Sequence, residues 1–231
     1  MKKKLTLVVT CIVLVAAMVI GGTLAYFTDT KKNENTFTIG NVMIKLDEAV
    51  VTKNGDKWTA SETDRTTKGN AYEAAYPGAE MPKDPTVHNV GKNAAYIRAK
   101  VTMTDALNTL AVMFPAPAAG TNFNDQYIGY LKQLVGGNFG EGWTCVDINW
   151  GPTNNGSDLE FVFEYGSTLA PEKSTTPIFD KIVITSTFDT RVSNGTAYLQ
   201  IGEVKLDIVA EAIQADGFDT WAEAFNAFDG N

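Results

Sequence analysis

The chain has 231 residues, of which 44% are hydrophobic, enough for one large domain or two small ones with an apolar core. Acidic residues outnumber basic ones by 27 to 19, and three of the lysines directly follow Met1. A chain this acidic lacks the basic surface that nucleic-acid binding requires, so we expect no nucleic-acid partner.

The N-terminal segment has the three-part order of a secretory signal peptide. Lys2 to Lys4 precede an apolar run from Leu5 to Ile20, and two glycines then interrupt any helix. Because Ala25 is small enough for a signal peptidase pocket, we predict a signal peptide over 1–25 that is cleaved between Ala25 and Tyr26. The apolar run approaches the length of a membrane span, so the alternative is an uncleaved anchor.

The first predicted strand covers Thr36 to Val50, where apolar and polar residues alternate. Phe37 and Ile39 share one face, and a bulge or tight turn at Gly40-Asn41 separates them from Val42, Ile44 and Leu46, which also share a face. Next, Asn54-Gly55 predicts a hairpin with a type I′ turn. The polar stretch from Ser61 to Asn70 is predicted to be a loop.

The clearest organised block runs from Tyr76 to Thr104. Pro77-Gly78 predicts a turn, and a short strand follows from Thr86 to Val90. A second turn leads into a strand from Tyr96 to Met103, which alternates as a half-buried antiparallel strand does. Its inward face is predicted to consist of Ile97, Ala99, Val101 and Met103.

Residues 105–142 read as an insertion, since prolines interrupt the pattern and Asp125–Leu134 has the spacing of a short helix. Further strands are predicted at Thr144–Trp150, Leu159–Tyr165, Lys181–Phe188 and Tyr198–Ile213. The tail places Trp221, Phe225 and Phe228 on one helical stripe, and we expect this helix to pack on the sheet. The fold class is therefore all-β: an antiparallel, jelly-roll-like β-sandwich over 26–231 with a short helical insertion and a C-terminal helix.

The sequence contains little of the chemistry that an enzyme needs. His88 is the only histidine and lies in a predicted strand, and neither HExxH nor Gly-x-Ser-x-Gly occurs. Cys145 would be the one cysteine left after cleavage, and we expect it to be a small buried core residue. Thr153 to Glu160 is rich in Asn and Asp but is better explained as a turn than as a calcium loop. We expect no catalysis, no cofactor and no metal.

Three blocks resemble the TasA/camelysin family of secreted Gram-positive surface and biofilm-matrix proteins. They are GGTLAYFTDT with the following NTFTIGNVMIKL, then YPGAEMPKDPTVHNVGKNAAYIRAKVTM, and finally VKLDIVAEAIQADGFDTWAEAF. The first block looks like the signal that this family's dedicated signal peptidase reads during export. The blocks come from both ends and from the middle of the chain, and residues 105–142 lie outside them.

The resemblance implies a jelly-roll subunit of extracellular fibres, in which the new N-terminal segment completes the sheet of the next subunit. The residues that would form this assembly strand are Tyr26, Phe27, Thr28, Phe37 and Ile39. A strand donated to an open sheet edge binds through its main chain, and its side chains set the register. In this view the partners are other copies of the chain, the membrane is met only through the uncleaved signal, and the protein is located in the extracellular matrix or at the cell surface.

Three alternatives stay open. In the first, residues 26–46 pair only within their own subunit. The second is a camelysin-like metallopeptidase, which the missing histidines disfavour. The third is a monomeric surface adhesin or carbohydrate-binding module that exposes an aromatic platform, for which Trp143, Trp150 and Tyr165 are the candidates.

Overall fold

A computed structural model describes residues 28–31, 42–73, 75–116, 118–151, 156–186 and 204–230. In chain order the elements are β1 (Thr28–Lys31), β2 (Ile44–Asn54), β3 (Lys57–Thr66), β4 (Glu80–Pro82), β5 (Thr86–Asn89), β6 (Ala95–Met103), α1 (Ala106–Met113), α2 (Phe123–Leu134), β7 (Trp143–Trp150), β8 (Leu159–Tyr165), β9 (Lys181–Val183), β10 (Leu206–Gln214) and α3 (Trp221–Asp229). Within these residues no helix is both long and apolar enough to cross a membrane.

The strands form three antiparallel sheets. The largest has the order β1-β10-β6-β8-β7, the second has the order β3-β2-β5, and β4 pairs with β9. One apolar core lies between them and includes Ile44 of β2, Val101 of β6 and Phe163 of β8, all fully buried. The predicted all-β antiparallel sandwich with short helices is therefore confirmed.

The inward faces of β2 and β6 are as the alternation predicts. Val42, two residues before β2, and Ile44 and Leu46 of β2 are buried, and the four inward residues predicted for β6 have almost no exposed surface. The opposite face of β6 is only partly open, because Arg98 on that face is 5% exposed. The helix α3 covers it, with Phe225 packed against Ile213 and the guanidinium of Arg98, so the expected docking of the C-terminal stripe is confirmed.

The β2–β3 hairpin is confirmed, but its turn is one residue later than predicted. Asn54 pairs with Lys57, so the loop is Gly55-Asp56. Only Gly55 has a positive φ, whereas a type I′ turn requires two such residues. The predicted Ser61–Asn70 loop is wrong up to Thr66, because β3 continues to that residue around a bulge that lies opposite Ala49 and Val51.

The predicted insertion is an integral part of the core. The helix α2 begins at Phe123, two residues earlier than predicted, and Asn122 caps it by accepting a hydrogen bond from the Asp125 amide. A second helix, α1, was not predicted. Side chains from both helices belong to the main core: Leu110, Met113, Tyr127, Tyr130, Leu131 and Leu134. The prediction of a strand from Lys181 holds for only three described residues.

Candidate functional site

The residues expected to form the assembly strand are only partly described. Ala25, Tyr26, Phe27, Phe37 and Ile39 lie outside the described residues. Thr28 begins β1, and the backbone of β1 pairs with Ala210 to Ile213 of β10 in the same subunit. The described part of the predicted strand therefore lies at a sheet edge.

The two edges of the five-stranded sheet differ. At one edge β1 covers four positions of the nine-residue β10. At the other edge β7 has a bulge: Cys145 pairs with Phe163 and Asp147 with Val162, so Val146 has no partner of its own. A bulge bends an edge strand and disfavours pairing with another chain. The β10 edge is thus better suited to accept a strand than the β7 edge.

One of the three candidate platform aromatics is exposed. Trp150, at the end of β7, is 65% exposed, and its ring lies 5.9 Å from that of Phe123. Trp143 is buried and donates its indole N–H to the Thr176 carbonyl at 2.9 Å, and its ring packs on Tyr165. The prediction that Trp143 is a platform residue is therefore wrong, whereas Trp150 is exposed to solvent.

Cys145 is a buried core residue, as predicted. It is the free cysteine of the described chain and belongs to the main core beside Trp143. Burial raises the pKa of its thiol to about 12. Since the thiolate is the reactive form, this cysteine is chemically inert at neutral pH.

His88 belongs to a polar cluster at the edge of the three-stranded sheet. Its Nε2 lies 2.9 Å from Asp47 Oδ1 and its Nδ1 lies 2.6 Å from Ser174 Oγ. Asp47 is buried, and it also accepts from Arg65 Nε at 2.5 Å and from Lys45 Nζ at 2.7 Å. Sequence reasoning missed this cluster, because its members, His88 included, come from four separated stretches of chain.

This cluster places a hydroxyl, an imidazole and a carboxylate in series, as a serine hydrolase does. A hydrolase also needs N–H donors for the oxyanion, typically from the residue after the nucleophile. Here the Thr175 N–H donates to the Val87 carbonyl at 2.9 Å and the Lys173 N–H donates to that of Ala170. His88 and Ser174 are also direct neighbours across an antiparallel bridge. The arrangement is better suited to bracing the sheet than to catalysis.

The same cluster does not fit a metal ion. Both ring nitrogens of His88 are within hydrogen-bond distance of protein groups, and two cationic side chains occupy the carboxylate of Asp47. Their positive charge would repel a divalent cation. Across the described ranges, no group of three or more His, Cys, Asp or Glu side chains is arranged to hold a metal.

The lowered pKa of Asp47 makes the stability of the folded chain depend on pH. Burial raises the pKa of this carboxyl, but the hydrogen bonds from Lys45, Arg65 and His88 outweigh it and lower the pKa to about 2. A carboxyl whose pKa is lower in the folded chain stabilises the fold above its unfolded pKa of 3.8, and this contribution disappears as the pH falls towards about 2.

We expect Asp47→Asn to lower the free energy of unfolding by on the order of 2 kcal/mol at pH 7. Urea denaturation at pH 7, about 4 and about 2 measures the difference between the two proteins, which should shrink towards zero at the lowest pH. Asp207→Asn, at an exposed position of β10, is the matched control. A difference that stays constant with pH would contradict the role of the charge.

Comparison with known proteins gives one match. Residues 1–58 match the family model of camelysin metallo-endopeptidase. No curated protein and no solved structure matches the chain significantly. The match covers the predicted signal peptide, β1 and β2, and it ends in the first two residues of β3.

Proposed function

We propose, from the match of residues 1–58 to the camelysin family model and from the position of β1, that the chain is a protein of the TasA/camelysin type and a structural subunit of extracellular fibres. In this proposal the protein is exported, its leader is removed after Ala25, and subunits assemble by donating the new N-terminal strand. It has no catalytic activity. The family is associated with cell-surface and extracellular proteins, which supports this location.

The observation that carries the proposal is the position of β1. This strand is short, lies at the N-terminal end of the mature chain and pairs with β10 at the sheet edge. Main-chain hydrogen bonds between two strands do not depend on whether the strands belong to one chain. The β1 of a neighbouring subunit would therefore make the same bonds to Ala210–Ile213 as the subunit's own β1.

The connection between β1 and β2 makes such an exchange feasible. Residues 32–43 separate the two strands in the sequence, a length that can reach from one subunit to the next. Before cleavage the leader is attached directly to Tyr26, so the segment has no free end. Assembly would therefore follow export.

A pair of cysteines distinguishes donation from pairing within one subunit. Asp29 and Ala212 are direct partners in the β1–β10 register. We expect residues 26–231 with Asp29→Cys and Ala212→Cys to form fibres that, after oxidation, run as a ladder of covalent multimers on a non-reducing gel. Cys145 is buried and unreactive and should not take part.

Each single-cysteine variant is a control and should give no ladder. A second preparation that lacks residues 26–35 should remain monomeric by electron microscopy if β1 is the donor. Oxidised monomers with an internal disulfide would show that β1 pairs only within its own subunit. Fibres from the truncated chain would remove the N-terminal segment from the mechanism.

One observation favours a second candidate, a carbohydrate-binding surface. Trp150 and Phe123 form an exposed aromatic pair, and Asn124, which follows Phe123, donates from Nδ2 to Asp147 Oδ1 at 3.2 Å. Exposed aromatic patches rimmed by polar groups are typical of binding sites. A protein that stays monomeric at high concentration and binds polysaccharide through Trp150 would favour this function. The matching family model is named for a metallopeptidase, but among the described residues no group of side chains is arranged to hold a metal ion.

A further inference from the structure

A buried lysine, a buried glutamate and a half-buried asparagine meet between β2 and the two segments that follow β3 and β4. Glu48 and Lys83 are 4% and 7% exposed, and Lys83 Nζ lies 2.6 Å from Glu48 Oε2. The other oxygen of the same carboxylate, Oε1, accepts from Asn70 Nδ2 at 2.8 Å. One carboxylate therefore holds the amine and the carboxamide on its two oxygens.

The carboxamide of Asn70 is fixed in one orientation. Its Oδ1 accepts from the Val51 N–H at 2.8 Å, and its Nδ2 donates to the Ala49 carbonyl as well as to Glu48. An N–H directed at a carbonyl oxygen polarises the carbonyl and stabilises negative charge that develops there. The carbon Cγ of Asn70 is thus activated towards a nucleophile.

From this geometry we propose that Lys83 and Asn70 form an intramolecular isopeptide bond with Glu48 as the catalytic acid–base. Glu48 removes a proton from the Lys83 ammonium, and the free amine attacks Cγ of Asn70. The Val51 N–H binds the oxyanion of the tetrahedral intermediate. Glu48 then returns a proton to Nδ2 and the Cγ–Nδ2 bond breaks. The remaining extra proton on the former lysine nitrogen passes through Glu48 to the departing ammonia, which leaves as an ammonium ion.

The reaction is balanced without a further reactant. A lysine ammonium and a carboxamide become a secondary amide and one ammonium ion, so nothing is oxidised or reduced. Water would compete for the activated amide, but Glu48 and Lys83 are shielded from it. Tyr72, whose hydroxyl donates to the Pro82 carbonyl beside Lys83, has its pKa raised by burial and by the charge of Glu48. The surroundings of Glu48 and Lys83 are therefore largely dry, which favours proton transfer between these two groups.

The bond would close a ring from Asn70 to Lys83 and join the exit of β3 to the segment between β4 and β5. It would constrain the unfolded chain as a disulfide does, in a protein whose mature chain has a single cysteine. The proposal does not depend on fibre formation, since the three residues belong to one subunit.

Peptide mass spectrometry of the purified full chain tests the proposal. Trypsin should not cleave after Lys83, and the peptide from Gly69 to Lys92 should be lighter than its sequence by the mass of one ammonia. Further cleavage after Glu73 and Glu80 should leave the piece that contains Asn70 joined to the piece that contains Lys83. A succinimide at Asn70 also loses ammonia, but its two pieces would separate, and that result would overturn the proposal.

Two variants give the matched controls. Lys83→Arg keeps a cation next to Glu48 but has no amine that forms this bond. The variant should fold, as judged by circular dichroism, and its tryptic peptide that begins at Gly69 should have the mass of its sequence. Glu48→Gln keeps the size of the side chain and removes the base, so the cross-linked fraction should fall at least tenfold. If trypsin cleaves the wild-type chain after Lys83 and the peptide from Gly69 to Lys83 has the mass of its sequence, the proposal is overturned, whether or not the variants fold.

Discussion

Replacing Arg98 with alanine is expected to lower the free energy of unfolding by about 3–5 kcal/mol. Arg98 is buried between β6 and α3, with Nε 2.5 Å from Glu211 Oε2 and its two terminal nitrogens 2.7 and 2.8 Å from the oxygens of Asp229. Without it Lys100 is the one remaining counter-charge of the buried Glu211 among the described side chains, and Phe225 and Phe228 lose the guanidinium packed on their rings. Urea denaturation at neutral pH measures the loss.

Two further variants separate the charge from the packing. Asp229 is partly exposed, and in Asp229→Asn the buried Arg98 still pairs with Glu211. This variant should therefore lower the free energy of unfolding clearly less than Arg98→Ala does. Replacing both members of the buried pair, Arg98→Met with Glu211→Leu, should recover most of the stability, because no charge is then buried alone. A loss below about 1 kcal/mol for Arg98→Ala would mean that water reaches Glu211 and that α3 is not held by this contact.

Gly140→Ala is expected to destabilise the protein by about 3 kcal/mol or more, a large effect for one added methyl group. A Cβ at Gly140 would lie 1.8 Å from the backbone oxygen of Pro177, a contact that only a shift of the main chain can relieve. Gly140 also donates to the Ile178 carbonyl at 2.9 Å. The same substitution in α2 is the matched control.

In α2, a Cβ at Gly129 would meet nothing within 4 Å, so Gly129→Ala should stabilise the protein by about 0.5–1 kcal/mol through helix propensity. Thermal unfolding of both variants should give shifts of opposite sign. Equal shifts would contradict the close approach of the two backbones at Gly140.

Local sequence pattern predicted the elements of the sandwich well where one face of a strand is buried. The alternation at 96–103 identifies the inward side chains of β6, because side chains on a strand point to opposite faces in turn. The predicted bounds of β8, Leu159–Tyr165, agree with the structure. The stripe formed by Trp221, Phe225 and Phe228 likewise predicted a helix that packs through its aromatic face.

The pattern failed where contacts distant in the sequence decide the structure. Ser61–Thr66 is polar and was predicted to be a loop, but Arg65 and Thr66 pair with Ala49 and Glu48 of β2, so β3 continues past a bulge to Thr66. The alternation placed Arg98 on the solvent side of β6, and only the position of α3 buries it. No local signal distinguishes an arginine in water from one enclosed by two carboxylates and two rings.

The sequence by itself determined the order of charged and apolar residues at the N-terminus, the strand pattern and the match of residues 1–58 to a family model, since charge order and apolar periodicity are local properties. The tertiary structure alone decided which polar side chains meet. His88 and Ser174 are 86 residues apart, and Glu48 and Lys83 are 35 residues apart, yet each pair is in hydrogen-bond contact. Antiparallel pairing and the burial of the sheet faces bring these strands together, and spacing along the chain does not encode that approach.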